Sequence, residues 1–504
     1  MDRHSARGCR RRPARALFSK RFGQTTPEDT MMKTNPLALA PVAPLALAAA
    51  LLAAAPARAL PVDFGGYFRS GMGTSSQGGK EVCFRLPGSV LWFRLGNECD
   101  TYADLVFRST LGQVDGTTFK STFRFSYGTQ GIANWEQTSP SWREVFVEAQ
   151  DIGSGLGVQA LQGASLWAGK RFYGNRDIHM LDYGFWEPNQ GVGAGLENVK
   201  TPLGRFSYAM LRMGDFTGYG VNPALGGFNP DLIGGGSRSV TVHDLRLEDI
   251  AVNPGGKLAL GLDLALKNNR DGRSSYTVET TQLADLDGNP ATPPVPVVIR
   301  ETRSFDNKPG RNGLGLHVQH TQADPFGLGG FNEVVLKFAH DAMTLRGVGI
   351  AGSTERRREW LLFDHWVMEP KGSAITASMT AGLRLAKVDG VTNKEFWIGA
   401  RPQYHINNIW SLVSEVGLQQ AESDGDRLGA RRLAKVTLGT QFSMGRSIWS
   451  RPAIRFFTTY AKWNDAAAAA GPVTCTGRDC ATPVDAYQNK RSGLSYGVQI
   501  EGWF

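Results

Sequence analysis

The last ten residues of the chain, 495–504, alternate between apolar and polar positions. One face of an extended strand would carry Tyr496, Val498, Ile500, Gly502 and Phe504, and the other would carry Ser495, Gly497, Gln499, Glu501 and Trp503. A strand with one face suited to lipid and the other to water is typical of a transmembrane β-barrel. Trp503 is the exception, because its large ring would face the wet lumen.

Three further segments, 119–127, 257–267 and 434–444, repeat this alternation. In the second, leucines at every other position oppose Lys257, Asp263 and Lys267. Each segment is about nine to eleven residues long, which is enough for a tilted strand to cross a bilayer. After residue 60 the sequence has neither a convincing amphipathic helix nor a run of eighteen apolar residues, so a transmembrane helix is excluded there.

The predicted strands are joined by connections of two sizes. Short turns such as 253–256 contrast with long polar excursions at about 214–238, 268–312 and 469–492. This asymmetry is typical of outer-membrane barrels, and the chain length predicts about sixteen to eighteen strands. We therefore predict an all-β fold, a transmembrane antiparallel β-barrel. A soluble β-sandwich or propeller is the alternative, against which stand the aromatic terminus and the lack of a blade-length repeat.

The N-terminal segment has the features of an export signal. Lys33 precedes an apolar run at 36–56, and Ala57-Arg58-Ala59 forms an A-x-A cleavage site. We expect 1–30 to be a mis-assigned or non-structural extension, 31–59 a cleaved secretory signal peptide, and 60–504 the barrel. Of the formal net charge of +9, residues 1–59 contribute +7, so 60–504 carry about +2 and give no support for nucleic-acid binding.

Four of the five cysteines lie after the predicted leader, as two close pairs. They are Cys83 with Cys99 and Cys475 with Cys480. An exported protein folds in an oxidising compartment, which favours two local disulfides. A four-cysteine metal site is the alternative, but it would need two distant parts of the chain to converge.

Five aromatic rings share a predicted strand face with charged or polar residues. They are Tyr67, Tyr102, Phe331, Trp449 and Trp503. A pyranose packs the C–H groups of one face on an aromatic ring, while its hydroxyls form hydrogen bonds to charged groups at the rim. A single such ring has a simpler structural interpretation, but five strands with the same arrangement favour a lumen that binds sugars weakly at several successive points.

Long and unusual sequence blocks make residues 62–504 resemble the maltoporins. The blocks include RLGNECDTYADL from Arg94, WAGKRFY from Trp167, DIHMLD from Asp177 and SIWSRPAIRFFTTYAKW from Ser447. The resemblance implies an eighteen-stranded, homotrimeric channel for maltose and maltodextrins in the outer membrane of a Gram-negative bacterium. It also implies that the segment 167–198 folds into the barrel as a constriction loop.

The resemblance assigns roles to individual residues. The aromatic slide would be Tyr67, Tyr102, Phe331, Trp449 and Trp503, with Trp135 supplied by a neighbouring subunit. The polar track at the constriction would be Arg69, Arg94, Asp104, Arg143 and Asp182, with His179 and the loop tryptophan Trp186 nearby. Cys83 with Cys99 matches the disulfide of the family, whereas Cys475 with Cys480 has no counterpart and would staple the last long loop.

The chain also departs from the maltoporin pattern. Gly184 occupies a position where the family usually has a bulky tyrosine, Asn175 and Arg176 replace an arginine and a histidine, and Asp104 replaces a glutamate. Loss of the tyrosine would widen the narrowest point. A sugar porin of broader specificity, or a general diffusion porin with a widened constriction, is therefore the alternative function.

Other function classes find little support in the sequence. It has no HExxH or GxSxG motif, and the GxGxxG at Gly347 lacks the strand–helix context that would give it meaning. Asp177, His179, Asp182 and Glu187 could be interpreted as metal ligands, but a hydrogen-bonding constriction loop explains them better. We therefore expect no enzyme activity, no cofactor and no metal. The expected partners are the sugar, outer-membrane lipid and lipopolysaccharide.

Overall fold

In the computed structural model, the described residues lie within 60–504. They are 60–129, 138, 140–187, 191–213, 221–222, 227–228, 240–267, 272–284, 295–307, 311–347, 355–471, 480–481 and 483–504. The predicted leader, Trp135 and Cys475 lie outside them, and for Cys480 only the backbone is described.

The described chain is almost entirely β-structure. In chain order the strands are β1 (Val62–Ser75), β2 (Glu81–Val82), β3 (Thr101–Val114), β4 (Thr117–Thr129), β5 (Ser141–Gln150), β6 (Ser165–Lys170), β7 (Arg176–Ile178), β8 (Tyr183–Trp186), β9 (Val192–Lys200), β10 (Arg205–Met213), β11 (Val221–Asn222), β12 (Gly227–Phe228), β13 (Val240–Asn253), β14 (Gly256–Lys267), β15 (Gly272–Ala284), β16 (Val295–Asn307), β17 (Gly313–Ala323), β18 (Phe331–Asp341), β19 (Arg357–Met368), β20 (Ile375–Val388), β21 (Val391–His405), β22 (Trp410–Ser423), β23 (Arg431–Ser443), β24 (Ala453–Trp463), β25 (Cys480–Ala481) and β26 (Ser492–Trp503).

The helical segments among the described residues are short. The α-helical ones are Ile152–Leu156, Asp465–Ala469 and Pro483–Tyr487, and the 3₁₀ turns are Gln159–Leu161, His179–Leu181 and Pro325–Gly327. Within the ranges given above, no helix is both long and apolar enough to cross a membrane.

Eighteen strands form one closed antiparallel barrel, which confirms the predicted fold. The ring runs β1, β3, β4, β5, β6, β9, β10, β13, β14, β17, β18, β19, β20, β21, β22, β23, β24 and β26. It closes where β1 pairs with β26, with Tyr67 opposite Trp503. Closure leaves no unpaired strand edge in the hydrocarbon, where an unpaired backbone group would be costly.

The two faces of the wall differ as the alternation predicts. In β23, Leu438 is 61% exposed on the outside, whereas Thr437 and Gln441 are fully buried on the inside. In β26, Tyr496 and Ile500 face outward, and Gln499 and Glu501 face inward. The outer surface is therefore an apolar belt, and the lumen is lined by polar and charged side chains.

The strand connections divide the barrel into two ends. One end, the long-loop rim, carries 76–100, 171–191, 268–312 and 464–491 among its connections; the other, the short-turn rim, carries 115–116, 201–204, 254–255 and 444–452 among its own. One predicted long excursion, 268–312, contains the hairpin β15–β16 outside the barrel sheet. The polar composition of 268–312 predicts a loop, but Val and Thr, which favour strands, are frequent in both strands of this hairpin.

Two segments from the long-loop rim fold inside the barrel. Segment 171–191 leaves β6 and reaches the far wall, where Phe185 packs against Phe363 of β19 at 4.9 Å between ring centroids. The Arg401 guanidinium of β21 donates to the Met180 carbonyl at 3.3 Å. These contacts confirm the inward-folded constriction loop, but with narrower bounds than the expected 167–198, because 167–170 and 192–198 belong to the wall strands β6 and β9.

The second inward segment, 76–100, was not anticipated. It contains the disulfide Cys83–Cys99, which confirms that pairing. Phe93 packs on the inner wall over Gly399 of β21 and Gly417 of β22, and a Cβ at either glycine would fall on its ring. The glycines therefore make the hollow that holds this segment against the wall.

The apolar belt predicts that the cost of placing a charge on the outer wall depends on its depth in the bilayer. Leu438→Arg, at the middle of β23, is expected to lower the free energy of unfolding by about 2–4 kcal/mol, because it places a charge near the bilayer midplane. Met444→Arg, at a position that is even more exposed but lies past the short-turn end of β23, should cost no more than about 1 kcal/mol. Denaturant titration of both variants in lipid vesicles checks this, and equal costs would contradict the orientation of the strand in the bilayer.

Candidate functional site

The inner wall beside the barrel closure carries a buried carboxylate bound by several cations. Glu501 of β26 accepts from Arg451 Nε at 2.8 Å and from Arg455 Nη1 at 2.9 Å. Its other oxygen, Oε1, accepts from Tyr67 Oη at 3.2 Å and pairs with Arg94 Nη2 at 2.9 Å. Because Glu501 is almost fully buried, these contacts replace the water that the carboxylate loses.

Arg94 joins the two inward segments at this point. Its backbone N–H donates to the Met180 carbonyl at 3.1 Å. Its guanidinium bonds to Glu98 and lies 3.0 Å from His179 Nδ1. Segment 76–100 thus contacts segment 171–191 through Arg94, the residue that also pairs with Glu501. We call this set of contacts the Glu501 network.

A second arginine extends the network toward the long-loop rim. Arg69 of β1 binds Asp100 with two hydrogen bonds, at 2.8 and 2.7 Å. It also contacts Glu98 at 3.3 Å and Asp182 at 3.4 Å. The structure therefore brings together three residues of the predicted polar track, Arg69, Arg94 and Asp182, and places His179 beside them.

Four of the predicted aromatic rings line neighbouring parts of the wall. Tyr67 of β1 is paired across strands with Trp503 of β26, and its ring lies 6.2 Å from that of Tyr102 on β3. Trp449 lies in the connection before β24, and the His179 ring stands 5.8 Å from Trp449 and 5.5 Å from Trp503. All four rings are half-buried, so each keeps part of its surface open.

Three of these rings share one more feature, a guanidinium close to one ring face. Arg451 lies 4.3 Å from the centroid of Trp503, Arg94 lies 5.8 Å from that of Tyr67, and Arg69 lies 5.5 Å from that of Tyr102. Because the arginines also bind carboxylates, they hold the rings in place and put hydrogen-bond donors beside them.

Asp104 is the centre of a smaller polar group beside Tyr102, the ring nearest the long-loop rim. It accepts from Tyr102 Oη at 2.7 Å and from the Ser126 hydroxyl, and Arg124 of β4 lies 3.8 Å away. The predicted residue Asp104 therefore lies next to a predicted ring.

Other predicted residues lie apart from this row. Phe331 begins β18, farther around the wall, where its ring packs edge-on against His365 at 5.5 Å. The Arg143 guanidinium lies 4.6 Å from the centroid of Phe172. Trp186 is fully buried, between Arg246 and His317 at 3.9 and 3.7 Å. It therefore fixes segment 171–191 to the wall.

The space at Gly184 is not left open. The Glu187 side chain folds over this glycine, and a Cβ at position 184 would fall on its carboxylate. Arg346 Nη2 holds the same carboxylate at 2.8 Å. The expected widening from the missing tyrosine is therefore offset at this position by an ion pair that the sequence comparison did not indicate.

The surroundings of segment 171–191 shift the pKa values of its ionisable groups in different directions. Burial, helped by Arg94 and Arg451, lowers the pKa of His179 to about 3, so the ring is neutral at physiological pH. Burial tends to raise the pKa of Asp182, but Arg94 and Arg69 outweigh it and the pKa is lowered. Asp177 keeps surface exposed to the lumen, yet the surrounding protein displaces much of its water and raises its pKa to about 6.

Sequence reasoning did not assign the centre of the network. Glu501, Glu98, Arg451 and Arg455 are not among the predicted site residues. The available signal was that Glu501 shares a strand face with Trp503 two residues later.

The comparison with protein families agrees with the barrel. The family model described as LamB porin matches residues 62–504. Among solved structures, OmpT of Vibrio cholerae in its trimer form has 8% identity and a TM-score of 0.35, over 88% of this chain and 100% of that one. An anion-selective porin from Comamonas acidovorans has 10% identity and a TM-score of 0.40, over 88% and 100%. These two likenesses are too distant to carry an argument.

The Glu501 network predicts a stability effect. Glu501→Gln should lower the free energy of unfolding by about 3–5 kcal/mol, because it leaves buried arginines without their counter-charge. The matched control is Asp249→Asn, which breaks pairs to the exposed cations Arg205 and Lys257 and should cost about 1 kcal/mol or less. Denaturant titration measures both. Similar losses in the two variants would show that the buried network contributes no more to the free energy of unfolding than an exposed ion pair does.

The raised pKa of Asp177 predicts a pH-dependent ion selectivity. Below about pH 6 the carboxyl group is protonated, so the lumen loses one negative charge and the current through a planar bilayer should shift toward anions. Asp177→Asn should remove this step, whereas His179→Gln should leave it, because His179 stays neutral down to about pH 3. A step near pH 6 that disappears only in His179→Gln would contradict the assignment.

Proposed function

The chain belongs to the LamB porin family of Gram-negative outer-membrane barrels, and on that premise we propose that it conducts maltose and maltodextrins by facilitated diffusion. Within this proposal, the path follows Tyr102, Tyr67, Trp503 and Trp449 along the inner wall. Tyr102 lies near the long-loop rim and Trp449 at the short-turn rim. Since long loops are extracellular in such barrels, the sugar would enter past Tyr102.

The observation that carries this proposal is the row of half-buried rings with guanidinium groups beside three of them. A sugar ring presents apolar C–H groups on its faces and hydroxyls around its edge. The aromatic rings match the faces, and the Glu501 network and Asp104 offer charged donors and acceptors for the hydroxyls. Several weak contacts in series allow a sugar to move on instead of remaining bound.

Two parts of the proposed slide lie outside this row of rings. Phe331 would continue the path farther around the wall at the short-turn rim. Trp135, outside the described residues, would be supplied by a neighbouring subunit of a homotrimer. The proposal contains no catalytic step, cofactor or metal.

The Glu187–Arg346 pair bears on the choice between a selective and a broader sugar porin. A bulky tyrosine is absent at position 184, but the Glu187 carboxylate occupies the adjacent space. We therefore favour a selective channel whose constriction uses a charged pair where the family has an aromatic ring. A sugar porin of broader tolerance, or a general diffusion porin, remains the competing function.

Sugar block of the ion current tests the proposal. In a planar bilayer, maltohexaose should reduce the current in a concentration-dependent manner, and sucrose should do so weakly. Trp449→Ala or Tyr102→Ala should raise the half-blocking concentration by about tenfold, because each variant loses one ring on which the sugar packs, and a tenfold change corresponds to about 1.4 kcal/mol.

The matched control is Trp410→Ala, which removes an aromatic ring from the outward face of the wall. This variant should keep the wild-type block, because its ring does not reach the lumen. A current indifferent to both sugars in the wild type would favour a general diffusion porin. Equal block by maltohexaose and sucrose would favour the broader sugar porin.

A further inference from the structure

The outer surface of the barrel carries cations at one end of a contiguous group of strands. Near the long-loop rim, six cationic side chains project from β19, β20, β21, β23, β24 and the connection before β26 on the outside of the wall. We call them the cationic belt, and they are Arg358, Lys387, Lys394, Arg432, Lys462 and Arg491.

The opposite ends of the same strands have a different outer surface. Near the short-turn rim the outward residues are apolar or aromatic, as at Ile375, Tyr404, Trp410, Phe442 and Ile454. The two leaflets of the bilayer therefore meet different surfaces of this wall. The leaflet on the long-loop side meets positive charge above the apolar belt.

The charges within the belt are only partly compensated by the protein. Arg358 and Lys387 are direct partners across β19 and β20, and like charges in that position destabilise a sheet. Carboxylates lie near some members: Glu422 is paired across strands with Lys394, and Asp465 binds Arg491 at 2.6 Å. Within the described ranges, no carboxylate forms an ion pair with Arg432 or Lys462.

A hollow in the outer wall begins at the same place. Its volume is about 550 Å³, and Phe396, Leu418 and Ala434 are among the residues that form its apolar part. Arg432 and Lys462 border it toward the long-loop rim, next to the ion pair between Arg491 and Asp465. Arg432 is positioned by a 2.9 Å hydrogen bond to Gln420. The hollow thus combines a cationic edge with an apolar floor that opens toward the bilayer.

We propose that this hollow binds a phosphorylated, acylated glycolipid of the outer leaflet, the lipid A part of lipopolysaccharide. Its phosphates would bind Arg432 and Lys462, because guanidinium and ammonium groups form charge-assisted hydrogen bonds with phosphate oxygens. One acyl chain would lie on Phe396 and Leu418. A soluble anion would leave the apolar floor uncovered, and a neutral lipid would leave the cations without counter-charge, so neither matches both parts of the site.

Binding of defined lipids to the full-length barrel tests the site. Detergent-purified protein is mixed with diphosphorylated lipid A or with its dephosphorylated form, and the bound lipid is counted by native mass spectrometry. The wild type should bind the diphosphorylated form about tenfold more tightly, and Arg432→Gln/Lys462→Gln should lose about that factor. The double variant should keep the wild-type conductance, because both side chains lie outside the lumen.

The matched control removes the same charge from the other end of the wall. Arg205→Gln/Lys257→Gln replaces two exposed cations near the short-turn rim and should bind lipid A as the wild type does. If both double variants lose the same affinity for lipid A, the binding depends only on the net charge of the protein, and the proposed site is wrong. Equal binding of the two lipid forms would overturn the role of the phosphates. A change in oligomeric state without a change in lipid binding would assign the surface to a contact between copies.

Discussion

The closure of the sheet between β1 and β26 is the constraint on which the rest of the molecule depends. A strand edge cannot be left unpaired in hydrocarbon, so the first and last strands of the barrel must meet. Their register places Tyr67 opposite Trp503 and Arg69 opposite Glu501. The pairing that satisfies the backbone therefore also assembles two rings and two charges of the candidate site from opposite ends of the chain.

Ion pairs inside the barrel fix the positions of the two inward segments. Glu501 is buried among Arg94, Arg451 and Arg455, and an unpaired charge there would be strongly destabilising. Arg94 comes from segment 76–100 and lies against His179 of segment 171–191. The two segments are thus fixed to each other and to the wall by one set of ion pairs. Apolar anchors such as Phe93 and Trp186 fix their remaining lengths.

The inner and outer surfaces use the same residue types for different purposes. Inside, the arginines beside Tyr67, Tyr102 and Trp503 also bind carboxylates, which holds these rings and leaves polar groups beside them. Outside, Arg432 and Lys462 have no such partner among the described residues, and they lie above an apolar hollow. The difference follows from the surroundings: charges inside the barrel are paired with one another, whereas the edge of a bilayer supplies anionic headgroups.

The sequence by itself determined the barrel, because alternation with a period of two records which face of each strand meets lipid. It also marked the rings Tyr67, Tyr102, Trp449 and Trp503, since an aromatic side chain on a polar face departs from that pattern. The sequence could not identify Glu501 as the centre of the site, because its partners lie 46 to 434 positions away along the chain. Nor could it show that Glu187 covers Gly184 or that Trp186 is buried in the wall. Those outcomes depend on the path of an inward-folded segment across the lumen, which contacts between distant strands decide and no local pattern records.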